Sequence, residues 1–151
     1  MPVLPKFDHE KLEVYQLELK FLAWATDLLI EVRASEIPHL REVCDQLDRA
    51  SLSALLNTAE GNGRCASQQR ARFFDDARGS ATECAGCLDA MVAKRACEEE
   101  RILNGKALLV RIVSILCKLV ERFDGNATAI STSQNSRTRT SRSTSTSWAV
   151  E

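Results

Sequence analysis

Four successive stretches of this 151-residue chain, each more than twenty residues long, repeat apolar side chains every three or four positions. That spacing puts the apolar groups on one side of a helix and fits no strand, whose faces alternate every second residue. The first stretch, 10–33, carries Leu12, Tyr15, Leu19, Leu22, Thr26 and Leu29 as its inner line. The second follows Ser35-Glu36-Ile37-Pro38, where Ser35 is suited to cap a helix and Pro38 is tolerated in a first turn. It turns Leu40, Val43, Leu47, Ala50, Ala54 and Leu55 inward and stops at Gly61-Asn62-Gly63, where glycine can adopt the left-handed terminal conformation. A third helix is expected over 67–94, capped by Ser67, with Phe73, Phe74, Ala77, Ala81, Cys84, Leu88 and Met91 inside. The fourth, over 98–123, buries Ile102, Leu109, Val113, Leu116 and Val120; Glu98, Glu99 and Glu100 suit its positive end, Lys118 and Arg122 its negative end. Short connections between long helices predict an all-α, antiparallel up-down four-helix bundle.

Composition agrees: 44% hydrophobic residues supply one core, while 5% aromatics, six glycines and three prolines disfavour a sandwich of short strands. No stretch approaches the roughly 20 apolar residues that span a bilayer, and the start lacks an apolar export core, so a cytoplasmic location without membrane contact is expected. In that compartment thiols stay reduced. Cys44, Cys84, Cys87, Cys97 and Cys117 lie within the helical patterns and are expected to pack as small apolar groups.

The composition changes after Asp124-Gly125-Asn126. Residues 128–147 are mostly Ser and Thr, punctuated by Arg137, Arg139 and Arg142. Such a segment buries too little apolar area to offset an ordering cost of about 1–2 kcal/mol per residue, and disorder is expected. The reading is therefore a lead-in over 1–9, a bundle over 10–123 and a disordered C-terminal tail over 124–151.

The densest motif is Asn57-Thr58-Ala59-Glu60-Gly61-Asn62-Gly63-Arg64, followed by Arg72-Phe73-Phe74 and Ala77-Arg78-Gly79-Ser80-Ala81-Thr82-Glu83-Cys84. With Phe7 and Leu12-Glu13-Val14-Tyr15-Gln16, these pieces resemble the four-helix-bundle family first noted in intervening sequences of bacterial 23S rRNA genes. The resemblance covers residues 7–123. It implies an up-down bundle assembled into a ring-shaped homo-oligomer, typically a pentamer. One branch of that family is the accessory protein of diversity-generating retroelements, which binds a reverse transcriptase and RNA. The signature residues Glu60, Gly61, Gly63, Arg64, Arg78, Gly79, Ser80 and Glu83 then read as structural. Arg–carboxylate pairing between Glu60, Arg64 and Arg78 would fix how helices two and three meet, and Gly79 would admit a close backbone. Glu83 would pair with a neighbouring helix or subunit. The functional alternative makes Arg64, Arg70, Arg72 and Arg78 a basic end that touches phosphates, joined by the tail's Arg137, Arg139 and Arg142.

No catalytic constellation is evident. Asp75 and Asp76 are consecutive, so on a helix they point about 100° apart and converge poorly on a substrate; one of them is expected to face a helix or subunit boundary. Cys84-Ala85-Gly86-Cys87 lies inside a helix rather than at its start, and lacks the further ligands a zinc site needs. The two histidines, His9 before helix one and His39 in the first turn of helix two, have exposed polar roles in this reading. Neither enzyme activity, nor metal, cofactor or small-molecule substrate is expected.

Assembly is the leading expectation. In the first helix Leu17, Phe21, Trp24, Leu28 and Ile30 lie beyond the main stripe, enough for a second face between subunits. Periodicity alone leaves a broader single core equally open. Residues 1–123 hold 17 Lys and Arg against 19 Asp and Glu, a poor electrostatic match for RNA unless the charges segregate. The expected protein is a homo-oligomeric scaffold for a protein or ribonucleoprotein partner. The alternative is an RNA-binding accessory subunit of a reverse transcriptase.

Overall fold

The apolar spacing does produce four helices. In the computed structural model, which describes the backbone of residues 2–134 and the side chains of residues 2–125, they are α1 (Glu13–Ala34), α2 (Arg41–Gly63), α3 (Ser67–Ala93) and α4 (Glu99–Gln134), preceded by a 3-10 turn, Asp8–Lys11. The turn is tied down at both ends. The Phe7 amide donates to Glu10 at 2.6 Å, and Asn62 at the end of α2 donates to Asp8 at 3.1 Å.

Cross-helix contacts fix the topology. Thr58 bonds Glu18 while Arg33 reaches Asp45, so α1 and α2 run antiparallel. Ser53 meets Ser80 and Gln46 meets Glu83, which sets α3 against α2 in the opposite sense. Phe74 lies on Phe123 and Asp89 pairs with Lys106, reversing α4 against α3. Glu31 and Glu13 engage Arg101 and Arg111, closing α4 antiparallel on α1. Each helix lies beside its neighbours in chain order, and the backbones of α1 and α3, or of α2 and α4, make no close approach across the shared core. The cross-section is a square, with the α1–α2 seam opposite the α3–α4 seam.

The core of α2 is the expected one: Leu40, Val43, Leu47, Ala50, Ala54 and Leu55 are all buried. In α3 the inner line holds except for Phe73, which is half-buried beside buried Phe74. In α4, Ile102, Leu109 and Leu116 are buried, Ile112 joins them, and Val113 and Val120 pack only partly against the core. Helix α1 departs most. Its buried line is Val14, Leu17, Glu18, Phe21, Ala25, Leu28, Leu29 and Val32, whereas Leu19 and Thr26, expected inside, are exposed. The residues expected to widen α1 for assembly therefore divide: Leu17, Phe21 and Leu28 are this chain's own core, and Ile30 is exposed. Of the cysteines, Cys44, Cys84 and Cys87 are buried, Cys97 and Cys117 half-buried.

Helix ends also correct the sequence reading. Ser35 closes α1 instead of opening α2, its hydroxyl donating to the Val32 carbonyl at 2.6 Å. Helix α2 begins after Leu40, so His39 lies in the preceding turn, with φ of 65°. Ser67 is the first residue of α3 rather than its cap. No described glycine takes positive φ, so α2 ends at Gly63 without a left-handed residue. Helix α4 runs through Asp124-Gly125-Asn126 to Gln134, so Lys118 and Arg122 do not lie in its last turn. One exposed glycine costs a helix only about 1 kcal/mol and need not end it. Of the segment expected to be disordered, 124–134 is thus helical, and residues 135–151 lie outside the described residues.

Helix α3 ends in a Schellman motif: the Ala96 amide donates to the Met91 carbonyl at 2.8 Å and the Arg95 amide to Val92 at 2.9 Å. The left-handed position is held by Arg95, φ 61°, where glycine would carry no Cβ penalty. Arg95→Gly is expected to raise stability by roughly 0.5–1 kcal/mol, read as a higher midpoint in urea unfolding with unchanged slope.

Candidate functional site

The motif linking α2 and α3 is paired differently from the arrangement expected. Arg64, which follows the last residue of α2, pairs with Glu60 one turn back at 2.5 Å, and stands over the Phe73 ring at 4.9 Å. Arg78 pairs with Asp75, on its own helix, through Nε at 2.9 Å and an NH2 group at 2.7 Å. No Glu60–Arg78 bridge crosses between the helices. Asp75 and Asp76 are both exposed, and Asp75 lines a groove at the α3–α4 boundary with Ala71, Arg72 and Val120, as expected of one of the pair. What fixes α2 against α3 is Gly61, where an added Cβ would sit 2.9 Å from the Phe73 Cβ and 3.2 Å from the Phe74 ring. Ser53–Ser80 at 2.9 Å and Gln46–Glu83 continue the seam. Gly79 and Gly63 have open space where a Cβ would project, so neither admits a close approach within this chain.

Both ion pairs are solvent-exposed, and such pairs contribute about 0–1 kcal/mol. Arg78→Ala is accordingly expected to change unfolding stability by less than about 1 kcal/mol. A loss of several kcal/mol in urea unfolding would restore a role for Arg78 in fixing how helices two and three meet.

The candidate phosphate contacts are mixed. Arg70 donates to Asn62 at 3.1 Å and covers the Phe123 ring at 4.5 Å, and Arg72 is exposed. With Glu60 on Arg64 and Asp75 on Arg78, this end of the bundle carries carboxylates beside its guanidinium groups. Arg137, Arg139 and Arg142 lie outside the described residues.

Cys84 and Cys87 are buried in mid-helix. Burial, reinforced by the neighbouring Cys87 and Glu83, pushes the Cys84 thiol up to about 12, and burial raises Cys87 as well. At neutral pH neither supplies the thiolate that redox exchange or metal binding requires. Among the described residues no group of three or more His, Cys, Asp or Glu is arranged to hold a metal, and no helix is long and apolar enough to cross a membrane. His9 stacks against Phe7, ring centres 5.6 Å apart, and meets Tyr15 edge-on at 4.8 Å.

Outside the core, apolar groups collect on two opposite seams. On α1, Tyr15, Leu19, Leu22, Thr26 and Ile30 continue in the same line to Arg33, whose ion pairs with Asp45 and Asp48 point that line at α2. On α2, Asp48, Leu52 and Leu56 follow at one-turn spacing. The two lines therefore flank one seam, presenting Leu19 (38% exposed), Ile30 (64%), Leu52 (46%) and Leu56 (55%). Across the square, α3 and α4 enclose an apolar groove of about 450 Å³ lined by Thr82, Ala85, Leu109, Val110 and Val113, with Lys106 and Ser114 on its wall. Val110 is 66% exposed there, and Leu103, two turns earlier, is 55% exposed.

The fold and these surfaces define a four-helix bundle with unlike apolar faces on opposite sides. The sequence pattern of the 23S rRNA-intervening sequence protein family matches residues 10–118, and the chain belongs to that family. No curated protein matches it.

Proposed function

We propose that the protein is a non-enzymatic homo-oligomeric scaffold whose copies associate head to tail, the α1–α2 ridge of one seated in the α3–α4 groove of the next. The observation that carries this reading is the pairing of two unlike apolar faces on opposite sides of the square. An isologous dimer matches one patch to itself and would leave the other face wet; unlike faces generate a ring when the rotation between copies closes. The family resemblance supports a closed ring of five. Such a ring is multivalent, which suits a platform for a protein or ribonucleoprotein partner.

Two variants test it. Leu56→Glu spoils the ridge and Val110→Glu spoils the groove, and both positions are exposed enough to leave the fold intact. Each variant alone is expected to lose the assembled form in size-exclusion light scattering. Their mixture keeps one sound ridge and one sound groove, and is expected to give a species of twice the 16.8 kDa chain. A mixture that stays at the mass of one chain, or single variants that keep the wild-type mass, would overturn the arrangement.

The second reading, an RNA-binding accessory subunit of a reverse transcriptase, draws on the gathering of Arg64, Arg70, Arg72 and Arg78 at the α2–α3 end. Glu60 and Asp75 offset two of those charges. This reading requires RNA binding that falls steeply with salt and weakens on removal of 135–151. Absence of binding at low salt would eliminate it.

A further inference from the structure

Among the described residues the core contains one carboxylic acid. Glu18 lies on the inner line of α1 and is 2% exposed, and Thr58, which faces it from α2, is fully buried. The Thr58 hydroxyl donates to Oε1 of Glu18 at 2.7 Å, while Oε2 has no hydrogen-bond partner. One turn away, Val14, Phe21 and Leu22 on α1 and Ala54 and Leu55 on α2 are apolar, while half-buried Tyr15 packs on His9 and Asn62 donates to Asp8.

We propose that Glu18 and Thr58 form a protonation-sensitive latch between α1 and α2: the neutral carboxyl holds the helices closed, and its ionisation loosens the N-terminal half of α1 from the C-terminal half of α2. An ionised carboxylate with one hydrogen bond is far short of the contacts that offset the loss of water. Among the described residues Glu18 is in no ion pair. At this level of the bundle Glu60 on α2 and Arg64 just past its end pair with each other. On α4, Lys106 is engaged by Asp89 and Arg111 by Glu13, and in the 3-10 turn Asp8 faces Lys11. On α3, Arg78 is held by Asp75, and Arg70 donates to Asn62 and covers the Phe123 ring, its buried Nε without a partner. Burial accordingly raises the Glu18 carboxyl to about 8, with the Thr58 hydroxyl opposing part of that rise. The latch involves the inner side of the two helices and does not depend on whether copies assemble through their outer side.

The test follows the Glu18 side-chain carboxyl by carbon NMR in the full chain, together with amide hydrogen exchange between pH 7 and 9.5, corrected for the intrinsic rate. The carboxyl is expected to titrate near pH 8. Protection in the first half of α1 and the last half of α2 should fall at least tenfold over that range. Glu18→Gln, which cannot ionise, should keep its protection throughout, and Thr58→Val should move the titration to still higher pH. A midpoint in the ordinary carboxylate range would overturn the latch. So would protection lost equally in wild type and Glu18→Gln, or a midpoint unmoved by Thr58→Val.

Discussion

A chain carrying Glu18→Gln should become more stable than wild type as pH rises, approaching about 5 kcal/mol above pH 8. In the unfolded chain the Glu18 carboxyl ionises near its usual 4.5; in the bundle burial pushes it up to about 8. Between those values the unfolded state has released a proton that the folded state still holds. Stability therefore falls as pH rises, by roughly 1.4 kcal/mol per pH unit, and levels off above about 8. Below 4.5 the carboxyl is neutral in both states, and its contribution is fully present there. Glutamine keeps an oxygen for Thr58 and removes the titration. Urea unfolding of the two chains at pH 4.5, 6.5 and 8.5 should show a gap that opens with pH. A constant gap would mean that Glu18 is solvated in the folded protein.

The second large effect lies where α1 meets α4. Gly105 is buried, and a Cβ placed there would come within 2.2 Å of the Trp24 ring. That ring is held in place by packing on Phe21 at 5.6 Å between centres and by Arg101 above it at 5.4 Å. Arg101 is itself fixed by a two-pronged bond to Glu31, both contacts 2.9 Å, which also lowers the Glu31 carboxyl below its usual range. In a helix interior Gly→Ala ordinarily stabilises by about 1 kcal/mol. Here the displaced indole should reverse the sign, and Gly105→Ala is expected to cost about 2 kcal/mol. Gly125→Ala, in the same helix with open space around it, should stabilise by up to about 1 kcal/mol. Thermal melts of the pair test this directly. If both substitutions stabilise, Trp24 does not pin α4 to α1.

These two positions also show where sequence reasoning runs out. The number of helices and the inner line of α2 are legible because α2 has one apolar face. Helix α1 has two, about 120° apart: the Val14–Phe21–Leu28 line and the Tyr15–Leu22–Thr26 line. Spacing identifies both but cannot say which is inside, and an acid at Glu18 argues against the correct one. The acid is tolerated because Thr58 answers it from α2, a pairing 40 residues away in sequence. Spacing alone treats Gly105 as an ordinary helical glycine, although a glycine amid Ile102, Leu109 and Ile112 is a sign of close approach. In the signature motif, Arg78 finds a carboxylate three residues back at Asp75, a local pair that forms at little entropic cost. Gly61, a terminator by its sequence neighbours, instead admits Phe73 and Phe74. The apolar faces become visible only when the core has claimed its share, leaving Leu19, Ile30, Leu52, Leu56, Leu103 and Val110 outside.

The central claim is that these leftover faces join copies of the chain. The most direct measurement is the mass of the full-length protein by size-exclusion light scattering at neutral pH and micromolar concentration. The head-to-tail arrangement predicts a single species at a whole multiple of the 16.8 kDa chain, five-fold for the proposed ring. A species with the mass of one chain that stays monomeric as concentration rises would contradict it.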